Sequence, residues 1–145
     1  DCLWSLKQLR GGMVDIEFIA QYLALRHAAE NPDILNSETL ALLKNLTRAG
    51  YLNASSGALL SDALTMFQAL QGTLSLTIED EITSQRVDTF SDALKARLAD
   101  VDKYADFNAL EAKVTGTASR VFNLFQEIID TPASRLPAPK REPGA

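Results

Sequence analysis

Apolar residues recur along this chain at intervals of three and four, with no strict alternation of useful length, so the pattern predicts helices and no strands. The clearest run follows Asp106, a residue suited to cap a helix. Phe107, Leu110, Val114, Ala118, Val121, Phe125 and Ile128 then fall on one stripe. An earlier run over 13–30 follows Gly11 and Gly12 and is closed by Asn31 and Pro32. Ser37 is expected to cap a second helix over 38–49, with Gly50 just past its C-terminus. A third is expected to begin at Ser55 or Ser56 and to reach about Ile78, with Leu60, Leu64, Phe67, Leu70 or Gln71, and Leu74 along one side. Gly72 lies inside it, where glycine costs about 1 kcal/mol relative to alanine. Phe90, Leu94, Leu98 and Val101 mark a fourth helix, and the polar, acidic stretch 79–88 reads as a connector.

Proline usage supports this reading. Of the five prolines, only Pro32 precedes position 131, and Pro132, Pro137, Pro139 and Pro143 crowd the end. The expected fold is all-α: a bundle of about five helices over 1–130 and a flexible, disordered Pro-rich tail over 131–145. The 145 residues suffice for one domain, and 46% hydrophobic residues suffice for one core. A formal net charge of −5 argues against a nucleic-acid partner, because phosphate contacts need a basic face. No apolar run approaches the roughly 20 residues that span a bilayer, so no membrane partner is expected.

Catalytic groups are scarce. His27 is the only histidine, so any Ser-His-Asp or Cys-His arrangement would have to use it, and its helical angle points to the polar side. Cys2 is the only cysteine. Glu-x-x-His pairs, which a di-metal bundle needs, do not occur, nor does a P-loop string. No metal site is expected in this chain, and by itself it is expected to be inactive.

One segment is unusual, running from Leu6 through Gly11, Gly12, Met13, Val14 and Asp15 to Phe18. At ~100° per residue, an apolar arc runs from Val14 and Leu25 through Phe18, Tyr22 and Ile19 to Leu23 and Ile16, covering roughly 200°. Asp15 falls inside this arc and Glu17 on the opposite, polar side, so the two carboxylates cannot act as a pair. Asp15 has two readings. A first-turn carboxylate is favoured by the exposed backbone N–H groups and the helix dipole; alternatively it faces a ligand or another domain. The glycine pair would allow close backbone approach to an anion, with Lys7 and Arg10 adding positive charge nearby. It would equally serve as an ordinary turn.

The string Lys7-x-x-x-Gly11-Gly12-Met13-x-Asp15-Ile16-Glu17-Phe18-Ile19-x-Gln21-Tyr22 resembles the start of the helical domain of glutamine synthetase adenylyltransferases. PII uridylyltransferases share a related glycine-pair segment, typically with Arg where Val14 stands. The late run Ala118-Ser119-Arg120-Val121-Phe122-Asn123-Leu124-Phe125 is similar to that family's C-terminal end. At Ala69 to Leu76 the chain departs from the basic, histidine-containing patch often found there.

The resemblance implies a bifunctional parent enzyme, in which one nucleotidyltransferase domain moves AMP from ATP to a tyrosine of glutamine synthetase and another removes it. ATP and Mg²⁺ are then expected for the parent and no cofactor for this chain, which lacks the Gly-Ser…Asp-x-Asp core of that superfamily. Implied partners are the parent's own nucleotidyltransferase domain, glutamine synthetase and PII protein, with a cytoplasmic location. Lys7, Gly11, Gly12, Asp15 and Glu17 become candidates for an edge facing the nucleotide or the catalytic domain. A start at Asp1 rather than Met suggests a piece of a longer polypeptide. The competing expectation is a stand-alone helical interaction module whose glycine pair merely starts a helix.

Overall fold

The structure of the chain is a computed structural model, which describes residues 3–77, 90–101, 103–104 and 106–130. Its helices are α1 (Met13–His27), α2 (Thr39–Arg48), α3 (Ala54–Thr77), α4 (Asp92–Val101) and α5 (Phe107–Phe125). A 3₁₀ turn, Pro32–Ile34, links α1 to α2, and α5 runs on into a π-helical turn, Gln126–Asp130. No strand occurs among the described residues. The all-α expectation holds; the connector at 79–88 and the tail at 131–145 lie outside the described residues.

Helix starts follow from side chains that take up orphaned N–H groups. Asp106 caps α5 as expected, its Oδ1 accepting the Ala109 N–H at 2.8 Å. Ser91 does the same for α4 through Leu94, at 3.1 Å. The start of α3 differs from expectation. Asn53, not Ser55 or Ser56, accepts the Ser56 N–H at 2.7 Å, and the Ser55 hydroxyl donates to Asn53 as well. Nor does Ser37 cap α2: Asn36 accepts the Glu38 N–H at 2.9 Å, and the helix opens at Thr39. In both cases an asparagine just upstream offers a short amide oxygen that competes with the serine hydroxyl.

Helix ends are equally specific. Past α2, Gly50 N–H donates to the Thr47 carbonyl and Tyr51 N–H to that of Leu46, with Gly50 at φ 88°. This pair of bonds is the Schellman arrangement, which requires a left-handed residue. The end of α4 repeats it with Lys103 N–H to Asp100 and Tyr104 N–H to Ala99, but there the left-handed residue is Lys103, φ 56°. α1 closes at His27 rather than at residue 30, because the His27 carbonyl accepts the N–H groups of both Glu30 and Asn31.

α3 packs against each of the other four helices, and α5 packs against α1, α3 and α4. The expected stripe of α3 is buried at Leu60, Leu64, Phe67, Leu70 and Leu74. In α5 the buried set is Phe107, Leu110, Val114, Ala118 and Val121, joined by Thr117. Val101, expected on the inner stripe of α4, is instead 38% exposed, since the helix ends there. The N-terminal turn closes one end: Trp4 is fully buried, stacked on Phe107 at 5.3 Å and edge-on to Phe90 at 6.1 Å. Burying such an aromatic contributes roughly 2–3 kcal/mol. α2 and α3 cross so closely that a Cβ on Gly57 would collide with the Thr47 side chain. No helix among the described residues is long and apolar enough to cross a membrane.

Candidate domain-interface site

The glycine-pair segment forms a tight turn that feeds α1, and its backbone groups are satisfied within the turn. Gly12 N–H donates to the Leu9 carbonyl at 2.8 Å, Met13 N–H to Leu6 at 2.9 Å and Val14 N–H to Lys7 at 3.2 Å. Asp15 reaches back and accepts the Gly11 N–H on Oδ2 at 2.6 Å. This is a capping interaction displaced by one residue: the third helical side chain satisfies the residue before the cap rather than the cap itself. Asp15 is half-buried, and its place in the apolar arc is explained by this bond.

Both glycines are buried and neither could carry a side chain as the turn stands. Gly11 sits at φ 78°, and a Cβ on it would overlap the Ala118 carbonyl oxygen of α5. On Gly12 a Cβ would overlap the Leu6 carbonyl oxygen and lie 2.7 Å from that of Leu9. The close backbone approach that the pair permits is therefore made by α5. Of the five candidate residues, Lys7 and Glu17 project outward, while Gly11, Gly12 and Asp15 build the turn.

α1 presents two apolar faces. Met13, Ile16, Ile19, Ala20, Leu23 and Ala24 are buried against the bundle. The other half of the apolar arc faces outward: Val14 and Phe18 are each 51% exposed and Leu25 is 83% exposed. At the end of this face nearest the turn, Phe18 contacts Phe125 at 5.8 Å between ring centroids, and Phe125 stacks with Phe122 at 6.3 Å. The Arg10 guanidinium lies 5.3 Å from the Phe122 ring, a cation–π contact that ties the turn to α5. Phe122 and Phe125 thus extend the exposed strip, although in sequence they read only as the end of a stripe. His27, at the far end of α1, is half-buried and stacked on Tyr51 at 3.9 Å, so its ring is occupied in packing. No group of three or more His, Cys, Asp or Glu side chains among the described residues could hold a metal ion.

Known proteins share this sequence. A family profile described as GlnD PII-uridylyltransferase matches residues 4–129, nearly all of the described structure. The chain belongs to that family. It is also similar to proteins named bifunctional glutamine synthetase adenylyltransferase/adenylyl-removing enzyme. One from Bradyrhizobium diazoefficiens is 39% identical over 133 residues, covering 90% of this chain and 13% of that protein. Another, from Rhodopseudomonas palustris, is 40% identical over 129 residues, 89% of this chain and 13% of its own. A third, from Xanthobacter autotrophicus, is 35% identical over 131 residues, again 90% and 13%. No solved structure gave a significant match. The chain spans about one-eighth of the length of these relatives. The helical domain implied by the glycine-pair resemblance is borne out, and the three relatives are all named as adenylyltransferases.

Proposed function

We propose that this chain is a helical domain of a glutamine synthetase adenylyltransferase that packs on a nucleotidyltransferase domain of the same polypeptide. The observation that carries this reading is the exposed strip Val14, Phe18 and Leu25, set on the helix that follows the glycine-pair turn. A face of that kind, rimmed by charged residues such as Lys7 and Glu17, has the anatomy of a contact surface: apolar in the middle and polar at the edge. Similarity to about one-eighth of much longer proteins supports a neighbour within the same chain.

In this reading the parent enzyme transfers AMP from ATP to a tyrosine of glutamine synthetase and so regulates nitrogen assimilation in the cytoplasm. Chemistry with ATP and Mg²⁺ belongs to the nucleotidyltransferase domain, and the described side chains here do not form a metal site through which a step could run. The helical domain contributes by position. Seated on the catalytic domain through α1, it narrows the cleft and orders its edge, and it presents the remaining surface to glutamine synthetase and to PII protein.

The test uses the complete enzyme with Phe18→Ser and Leu25→Glu together. Both residues are exposed, so the helical fold should survive, and the circular dichroism of the 145-residue chain carrying the same changes checks that. AMP transfer to glutamine synthetase should fall at least about tenfold, the loss expected when contacts at the centre of an interface are removed. Unchanged transfer by an enzyme with an intact helical domain would end the proposal.

A further inference from the structure

A second feature lies away from the α1 strip. Between α3 and α5, near the end of α4, the surface opens into a cleft of about 660 Å³. That volume lies within the range of small-molecule sites. Its two walls carry opposite charge: Asp62 stands on the α3 wall, while Lys113 and Arg120 stand on the α5 wall. Asp62 and Lys113 have no ion-pair or hydrogen-bond partner among the described residues, and Arg120 makes only a long 3.4 Å bond from Nε to the Gly116 carbonyl. The cleft is therefore locally cationic by one charge in a chain of net charge −5.

The wall between the two cations supplies an independent sign. Thr117 lines the cleft, is only 4% exposed, and its Oγ1 has no hydrogen-bond partner. A helical threonine ordinarily returns its hydroxyl to a carbonyl one turn back, as Thr47, Thr65 and Thr73 do here. Leaving such a hydroxyl unsatisfied costs about 1–3 kcal/mol. Met66 contributes apolar lining and Tyr104 an aromatic edge.

We infer that this cleft is a binding site for a small dipolar organic ion. Its anionic group sits against Lys113 and Arg120, its cationic group against Asp62, and its carbon frame against Met66. A simple anion would satisfy one wall and be repelled by the other; a simple cation would do the reverse. Only a molecule carrying both charges on a short frame satisfies both. The inference does not depend on the docking role of α1, which occupies a different face of the bundle.

The experiment is an NMR titration of the ¹⁵N-labelled 145-residue chain with ω-amino acids of increasing length, from glycine to 6-aminohexanoate. Acetate, butyrate and butylamine serve as single-charge controls. The expected result is that one or two members shift amides of residues 59–66 and 113–120 and bind more tightly than every control. Lys113→Gln with Arg120→Gln should weaken that binding by roughly a hundredfold, about tenfold for each charged contact removed. Asp62→Asn should bring the best ω-amino acid down to the affinity of butyrate. All three residues are exposed, so the fold is retained, and unchanged amide spectra outside the cleft verify it. No response to any member, a response equal to that of a control, or shifts located elsewhere would overturn the inference.

Discussion

Glycines occur at two kinds of place in this domain, and they do opposite work. In the turn before α1, Gly11 and Gly12 are held against carbonyl oxygens at distances no Cβ could occupy, one of those oxygens being supplied by α5. Within α3 and α5, Gly72 and Gly116 face open space, with nothing within 4 Å of where a Cβ would stand. The first pair fixes how α1 meets α5; the second pair merely weakens the helices that contain it. A glycine's importance is thus a property of what approaches it, and only the folded chain reveals that.

The contrast can be broken most sharply at Gly11. Gly11→Ala should destabilise the 145-residue chain by about 2–4 kcal/mol, measured by urea denaturation, since the α5 backbone must yield and a left-handed alanine is strained. A smaller effect is expected at Asp15. Asp15→Ala leaves the Gly11 N–H without its acceptor and should cost about 1–2 kcal/mol, whereas Asp15→Asn keeps an acceptor oxygen and should lose less than half of that. On the other side of the comparison, Gly72→Ala and Gly116→Ala should each raise stability, by about 0.5–1 kcal/mol, with the two gains additive in thermal melts. The smallest expected change is a converse one. Lys103→Gly places glycine where the chain already turns left-handed and should stabilise by about 0.5 kcal/mol in the same melts, as the matching end at Gly50 suggests.

Legibility in the sequence follows the same line. Periodicity locates α3 and α5 with their buried residues, and Asp106 marks its helix start, because these signals are local. Caps are misjudged where two candidates stand close together: Asn53 beside Ser55 and Ser56, and Asn36 beside Ser37. Choosing between them depends on small differences in chain direction that composition does not encode. On α1 the apolar arc is visible, but an arc of roughly 200° is wider than one packing face needs. Hydrophobicity alone does not say that Ile16 and Ile19 go inward while Phe18 and Leu25 stay out. The glycine pair stands out as a motif, yet its physical cause is Ala118, which is remote in sequence. The α3–α5 cleft leaves no sequence signal, since Asp62, Thr117 and Arg120 look like ordinary helix-surface positions until the two helices meet.

Trp4 carries a practical consequence. It is the single tryptophan of the chain, and it lies sealed between Phe107 and Phe90 with its indole N–H unpartnered. Its emission should therefore be blue-shifted in the folded domain and move to the red as soon as α5 parts from the N-terminal turn. The molecule carries its own optical gauge of that junction, one that reads the seam where Gly11 and Ala118 meet without any added label.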